Sequence, residues 1–413
     1  MSEYRYVIVG GGLAGGKAVE GIRAVDAEGS IALVADEPRR PYHRPPLSKA
    51  YLRGEEPRDE IFVAKETDYE AQNVDLITNT DAVRLNRETQ EVGLSNGEGL
   101  GYEKLLLATG GRAKRLPLPG NALMNVFTLR KVEDSDAIRE AAGEGKHALI
   151  LGGSFIGSEV AASLSMIGTD VTMVFPESRL LERITPPEMS VYLQELYAGK
   201  GVEILPGVTP EALLGNEHVK RARLSNGTVL DVDLVVMGVG INLNTMLARE
   251  SNLKLNEEGA VIVDAFLCSN DPRIYAAGDI AAWPDQTFDK QMRVEHWDVA
   301  RSQGLRAGRN MAGEDEPYTT LPYFFSDLFD LSFEVWGDLS DWERTVLRGE
   351  LESRSFTFFY FAGDGKLSGV FTMGRPEEER EPMQQLVRAR PAHDDVADPL
   401  QDESQDLADL GAP

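Results

Sequence analysis

Two glycine turns are the first places where residue type and spacing point to chemistry. Gly10, Gly12 and Gly15 lie in "YRYVIVGGGLAGGKAVEGIRA", where a strand-like run passes through glycines into a helix with small residues on its first turns. That order gives a tight turn, close approach of backbone to a pyrophosphate, and a helix N-terminus facing the phosphates. Asp36 and Glu37 follow at the end of the next strand, where a ribose hydroxyl is held in such sites. The pattern returns in "KHALILGGSFIGSEVAASLSMIG", where Gly152, Ser154 and Gly157 stand at the same spacing and serine replaces the middle glycine. The next strand, "TDVTMVFPES", has Phe175 where an acid is common and Glu177 two residues later. A ribose on Glu177 favours NADH, because a carboxylate repels the extra phosphate of NADPH. A third stretch, "PYHRPPLSK", is stiffened by Pro41, Pro45 and Pro46 and closes on Lys49.

The elements that must carry these residues are legible in outline. At 413 residues the chain predicts two to four domains, at about 100 to 200 residues each. "KLLLATGGRAKRLPLPG", "VDLVVMGVG" and "RIYAAGDIAAW" each read as a buried strand running into glycines, the first with a proline-rich crossover that marks a boundary. From Leu321 onward, alternation and a turn at Gly363-Asp364-Gly365 predict a separate, mostly antiparallel module. No Lys or Arg follows Arg390, and the acidic, polar end predicts a frayed tail over 394–413.

Composition narrows the function. One cysteine, Cys268, excludes an internal disulfide, a CxxC dithiol and thiolate metal clusters, so no metal site is expected. A net charge of -26 argues against nucleic acid as partner. No apolar run reaches the roughly 20 residues of a membrane span. Met1 to Arg5 leads directly into the first strand, from which a cytoplasmic protein is expected. Two dinucleotide turns without a dithiol imply two electron carriers, most economically FAD on the first turn and a nicotinamide nucleotide on the second.

"PYHRPPLSK", "GGSFIGSEVA", "IYAAGD", "RVEHWDVARSQG" and "PYFFSDLFDLSFEVWGD", in this order, resemble the FAD-dependent ferredoxin reductases. That group includes rubredoxin and putidaredoxin reductases, monodehydroascorbate reductase and apoptosis-inducing factor. "VTMVFPES", "LPYFFSDLFDLS", "WGD" and "LVRARP" are most similar to the monodehydroascorbate reductases. The resemblance implies an α/β fold with two Rossmann-like nucleotide-binding domains and an α+β C-terminal domain. FAD would occupy 1–111 and 246–316, NAD the inserted 112–245, and the antiparallel C-terminal domain 317–393.

Carried over residue by residue, the resemblance places the FAD pyrophosphate on Gly10, Gly12 and Gly15 and its ribose on Asp36 or Glu37. Arg44, Lys49, Ala82 and Arg130 match other positions that contact FAD. Asp279 matches the carboxylate on the ribityl chain, and Trp297 the residue whose backbone meets the far side of the flavin. Phe155 matches the aromatic gate over the flavin and Glu159 the partner of Lys49; with Lys49 these are the implied catalytic residues. The nicotinamide nucleotide would lie on Gly152, Ser154, Phe155, Ile156, Gly157, Glu159, Glu177, Arg183 and Gly238, with Glu295 and His296 near the nicotinamide. His43 gains no role.

The implied reaction carries hydride from NADH to FAD and then single electrons to an acceptor. A ferredoxin or rubredoxin is the commonest partner in the group, and "RRPYHR" and "GRAKR", with Arg112, Lys114 and Arg115, offer basic patches for docking. A monodehydroascorbate radical is the alternative: Arg301 falls where a guanidinium binds that anion, while Phe325 replaces an expected tyrosine and Asp327 an arginine. A redox switch like apoptosis-inducing factor is a third reading. No membrane association is expected, and the chain is read as a monomer or homodimer.

Overall fold

The computed structural model describes residues 2–410. They divide into two compact units. The first comprises Met1–His43, Arg58–Arg112 and Asn242–Pro322. Its central strand, Ser2–Val9, runs parallel to Ile31–Val34 on one side and Gly99–Leu107 on the other. Val74–Ile77 extends the parallel sheet beyond Ile31–Val34, and Ile274–Ala276 lies parallel to Gly99–Leu107. Glu91–Leu94 and Ala82–Asn86 continue it antiparallel. Tyr6 to Val9 and Ile31 to Val34 are buried without alternation, as expected of parallel strands covered on both faces.

Helix Leu13–Val25 packs against helix Trp297–Met311 so closely that two glycines of the contact have no room for a Cβ. A Cβ at Gly304 would stand 2.3 Å from Ala14 O, and one at Gly308 would stand 2.2 Å from Ala18 O. These glycines let the C-terminal part of the unit lock onto the helix that opens at Gly12.

The second unit comprises Arg44–Pro57, Ala113–Ile241 and Tyr323–Pro413. Its parallel sheet runs Val202–Pro206, Asp170–Phe175, His147–Leu151, Leu234–Met237, Val126–Thr128, repeating the strand, glycine turn and helix order of the first unit. A small antiparallel sheet of Pro210–Gly215, Val219–Leu224 and Val229–Asp231 accompanies it. The expected C-terminal module is a five-stranded antiparallel sheet with Tyr323–Leu328 at one edge and Trp342–Glu350 at the other. Its hairpin turns at Gly363-Asp364-Gly365 between Ser355–Ala362 and Leu367–Met373. Phe333, Phe356, Phe358, Phe359, Phe361 and Phe371 are all buried, divided between its two faces.

The expected frayed tail is corrected. Helices His393–Gln401 and Leu407–Leu410 bury Val396, Leu400 and Leu407. The guanidinium of Arg348, 2% exposed, donates to the carbonyls of Leu400, Asp402, Glu403 and Gln405. Three apolar side chains and one buried cation outweigh the acidic composition from which disorder was expected; 411–413 lie outside the described residues.

Candidate functional site

In the first unit, Gly10 adopts φ +131° and a Cβ there would stand 2.1 Å from Ala108 O, so only glycine fits the turn. Gly12 caps helix Leu13–Val25 without a side-chain hydrogen bond, and the first turn has no acid. An added Cβ at Gly12 meets nothing within 4 Å. The mouth of this helix therefore has open space and uncapped backbone N–H groups. This is the donor set a pyrophosphate requires, so the turn fits a dinucleotide.

The acids at the end of the next strand differ. Glu37 is buried and accepts a 2.6 Å hydrogen bond from the Tyr42 hydroxyl, whereas Asp36 is exposed. Tyr42, between Pro41 and Pro45 of the proline-rich loop, thus orients one of the two candidate ribose ligands. The Thr80 N–H donates to Ala35 O at 3.0 Å, which brings the segment leading to Ala82 beside the same strand end.

Asp279 is nearly buried in the turn Gly278–Ile280 after strand Ile274–Ala276. Gly278, at φ +76°, donates its N–H to Gln303 Oε1 at 2.9 Å. Arg293 ties the following segment down, pairing with Glu295 at 2.7 Å and Glu258 at 2.8 Å. His296 caps helix Trp297–Met311, and burial of its ring lowers its pKa to about 4, with Asp279 opposing in part. It is a neutral imidazole at physiological pH.

His43 gains the role that sequence reasoning missed. The Trp297 indole N–H donates to His43 Nδ1 at 3.0 Å, with the rings 5.7 Å apart. Burial, and then the Lys17 charge, push the His43 pKa down, which preserves the neutral acceptor. Nothing local announces the bond, because the two residues are joined only by the fold. Arg301, the candidate anion ligand, instead holds Asp298 at 2.8 Å and lies over the Trp297 ring.

In the second unit, Gly152 adopts φ +120° and a Cβ there would stand 2.3 Å from Gly238 O. Ser154 caps helix Phe155–Met166, but its hydroxyl bonds Gly238 O rather than the helix N–H groups. Those donors and an acid-free first turn leave this helix as receptive to phosphate as the first. Gly157 is buried, Ile156 is 40% exposed, and Phe175 is buried where a Cβ on Gly153 would strike its ring. Glu177, past the strand end, lies 3.7 Å from the exposed guanidinium of Arg183.

The loop from Arg44 to Lys49 docks on this unit through its own backbone. Pro45–Ser48 form a 3-10 turn whose fixed proline torsions suit it. Leu47 O accepts from Ser135 Oγ and Ser48 O from Ser163 Oγ. Arg44 donates to the carbonyl of Arg130, so both expected FAD contacts meet each other.

Lys49 Nζ then stands 3.4 Å from Glu159 Oε1, and both side chains are about nine-tenths buried. Phe155 and Glu159, four apart, share a face of their helix. Phe155 makes an edge contact with Phe324 at 4.8 Å. Glu159 is anchored by two hydroxyls: Ser48 Oγ on Oε2 at 2.5 Å and Ser326 Oγ on Oε1 at 2.6 Å. Lys49 also meets a second carboxylate, Asp327 Oδ2 at 3.2 Å, and lies 4.6 Å from the centre of the Phe325 ring. Sequence reasoning found the pair but not its anchors or its third member; Asp327 had shown itself only as a departure from a family pattern. Among the described residues no group of His, Cys, Asp or Glu is placed to hold a metal, and no helix is long and apolar enough to cross a membrane.

Residues 4–304 match the family described as pyridine nucleotide-disulphide oxidoreductase, and 323–411 match the one described as reductase C-terminal. Putidaredoxin reductase CamA of Pseudomonas putida is 33% identical, covering 98% of this chain and 96% of its own. A monodehydroascorbate reductase of Pisum sativum is 32% identical over 96% of both chains. The crystal structure of a covalent putidaredoxin reductase–putidaredoxin complex superposes with a TM-score of 0.92 and 32% identity, covering 99% of this chain and 98% of that one. Overall identity does not separate the two branches, so the motifs that resemble monodehydroascorbate reductases do not assign the chain to that one.

Proposed function

Because the chain belongs to the pyridine nucleotide-disulphide oxidoreductase family, with a reductase C-terminal domain, we propose that it passes electrons from NADH to a small iron-sulfur protein of the ferredoxin or rubredoxin type. It is an FAD-dependent oxidoreductase that takes NADH as donor. FAD, when bound, accepts a hydride and gives up electrons singly, which a two-electron donor and a one-electron acceptor require.

The observation that carries the reading is the lone thiol. Cys268 is half-buried, burial pushes its pKa up to about 11, and the chain has no second cysteine. A disulfide relay is therefore closed to this member of the family, and the electrons leave to an external acceptor.

The chain's own residues take these parts. The helix mouths at Gly12 and Ser154 hold the two pyrophosphates, FAD on the domain 1–111 and 246–316 and NADH on 112–245. Glu37, oriented by Tyr42, and Asp279 hold hydroxyls of FAD; Arg44, Ala82, Arg130 and Trp297 make the remaining contacts. Glu177 holds the adenosine ribose of NADH. Lys49 supplies a positive charge to the reduced flavin, and Glu159, immobilised by Ser48 and Ser326, fixes where that charge stands. Phe155 gates the nicotinamide. The cytoplasm is the proposed compartment.

A monodehydroascorbate radical is the second reading, favoured by the Pisum sativum relative. Against it, Arg301 is engaged by Asp298 and Asp327 is an anion. Steady-state NADH oxidation against a ferredoxin, a rubredoxin, enzymatically generated ascorbyl radical, a quinone and oxygen decides. The iron-sulfur proteins are expected to give the highest kcat/KM; the radical doing so would establish the second reading, and low rates with all would overturn both. The same assay with Glu177→Ala should narrow the preference for NADH over NADPH, and an unchanged ratio would remove Glu177 from the site.

A further inference from the structure

We propose that Asp327 discriminates by charge among small-molecule acceptors, disfavouring anions and favouring neutral or cationic ones. The inference rests on the reductase reading above and adds to it the residue that discriminates among such acceptors.

Strand Tyr323–Leu328 is the edge of its sheet, and Tyr323, Phe325 and Asp327 alternate onto one face. Tyr323 and Phe325 line a cleft of about 510 Å³ together with Trp336, whose ring stacks on Tyr323 at 5.4 Å. Phe325 belongs both to this cleft and to the surroundings of Lys49. A molecule entering the cleft therefore meets the Phe325 ring, which Lys49 also touches, with Asp327 next along the same strand face.

That cluster is unbalanced. Lys49 carries one positive charge against two carboxylates, Glu159 and Asp327. Lys49 and Glu159 are 10% and 8% exposed, whereas Asp327 is 45% exposed, so the surplus negative charge is the part that meets solvent. Elsewhere in the cleft Glu334 and Arg380 neutralise each other at 2.6 Å. Glu159 cannot turn outward, because both its oxygens are held by serine hydroxyls. Arg375 in the lining is paired with Glu379 and Glu403, which leaves Glu377 as a further carboxylate of the cleft. An anion that passes Phe325 toward Lys49 thus meets Asp327, the exposed carboxylate of that cluster.

The test uses the FAD-loaded enzyme with ferricyanide and hexaammineruthenium(III), one-electron acceptors of opposite charge. Each NADH reduces two equivalents of either complex and yields NAD⁺ and one proton. Asp327→Asn should raise kcat/KM for ferricyanide about threefold and lower that for hexaammineruthenium about threefold, taking a triply charged ion at ~8 Å and physiological ionic strength. The ratio of the two cancels any loss of folded enzyme. Asp327→Glu should retain the wild-type ratio, and the effect of Asp327→Asn should grow as salt is lowered. The flavin midpoint potential, measured by dye equilibration, supplies a reading independent of turnover. A shifted potential with both rates moving in the same direction would show that Asp327 acts only through the flavin and would overturn the proposal, as would an unchanged ratio. A wild-type enzyme that reduces neither complex with NADH would overturn the reductase reading and this inference with it.

Discussion

Lys49 and Glu159 meet as a buried ion pair, 3.4 Å between Nζ and Oε1, although they come from a proline-rich loop and a distant helix. A unit charge at ~4 Å and an effective dielectric near 20 contributes at most about 4 kcal/mol, or roughly 90 mV for a two-electron couple. Two carboxylates share the Lys49 charge, so the effect proposed for it on the flavin is a fraction of that. Lys49→Met is expected to lower the flavin midpoint potential by tens of millivolts and to slow reduction by NADH. Spectroelectrochemistry and stopped-flow reduction check this; unchanged potential and rate would remove Lys49 from the mechanism.

The Trp297 indole N–H donates to His43 Nδ1. Losing one neutral hydrogen bond costs about 1 kcal/mol, so His43→Ala should weaken FAD binding about fivefold. His43→Gln, which restores an acceptor, should recover most of it. Fluorescence titration of apoprotein with FAD measures the effect, and equal affinity for wild type and His43→Ala would refute the link.

Arg348 holds four carbonyls of the C-terminal segment from a buried position. Arg348→Leu should destabilise the protein by about 2 to 3 kcal/mol, since hydrogen bonds to a charged group exceed neutral ones. It should also expose residues after Gln401 to proteolysis. Urea denaturation and mass mapping of early cleavage sites test both; a tail cut equally fast in wild type would mean the clamp does not hold.

His296 makes stability depend on pH. Its pKa is about 4 in the folded protein against an ordinary 6.5, because burial disfavours the imidazolium. Between those values the unfolded chain takes up a proton that the folded one does not. The contribution is therefore complete above pH 6.5 and falls away as pH drops through 4, a loss of roughly 3 kcal/mol. His43, shifted in the same direction, adds to it. Urea midpoints at pH 7 and 4.5 for wild type and His296→Gln measure the share: the variant should lose less on acidification. An identical loss in both would show that His296 is not responsible.

The two dinucleotide turns were readable from sequence because their chemistry is local. A glycine with positive φ, the helix it opens and the strand before it occupy about twenty adjacent residues, and steric exclusion leaves few alternatives. The antiparallel module and its Gly363-Asp364-Gly365 turn were legible for the same reason. Lys49 with Glu159 was legible only through resemblance to a family, since nothing in either stretch names the other. The tail was misread because composition reports average polarity, while order came from Val396, Leu400 and Leu407 and from a cation on a strand far upstream. His43 with Trp297, Asp327 with Lys49, and Ser48 and Ser326 on Glu159 were decided by tertiary structure alone. A hydrogen bond acts over about 3 Å, and only packing brings residues so distant along the chain within that range.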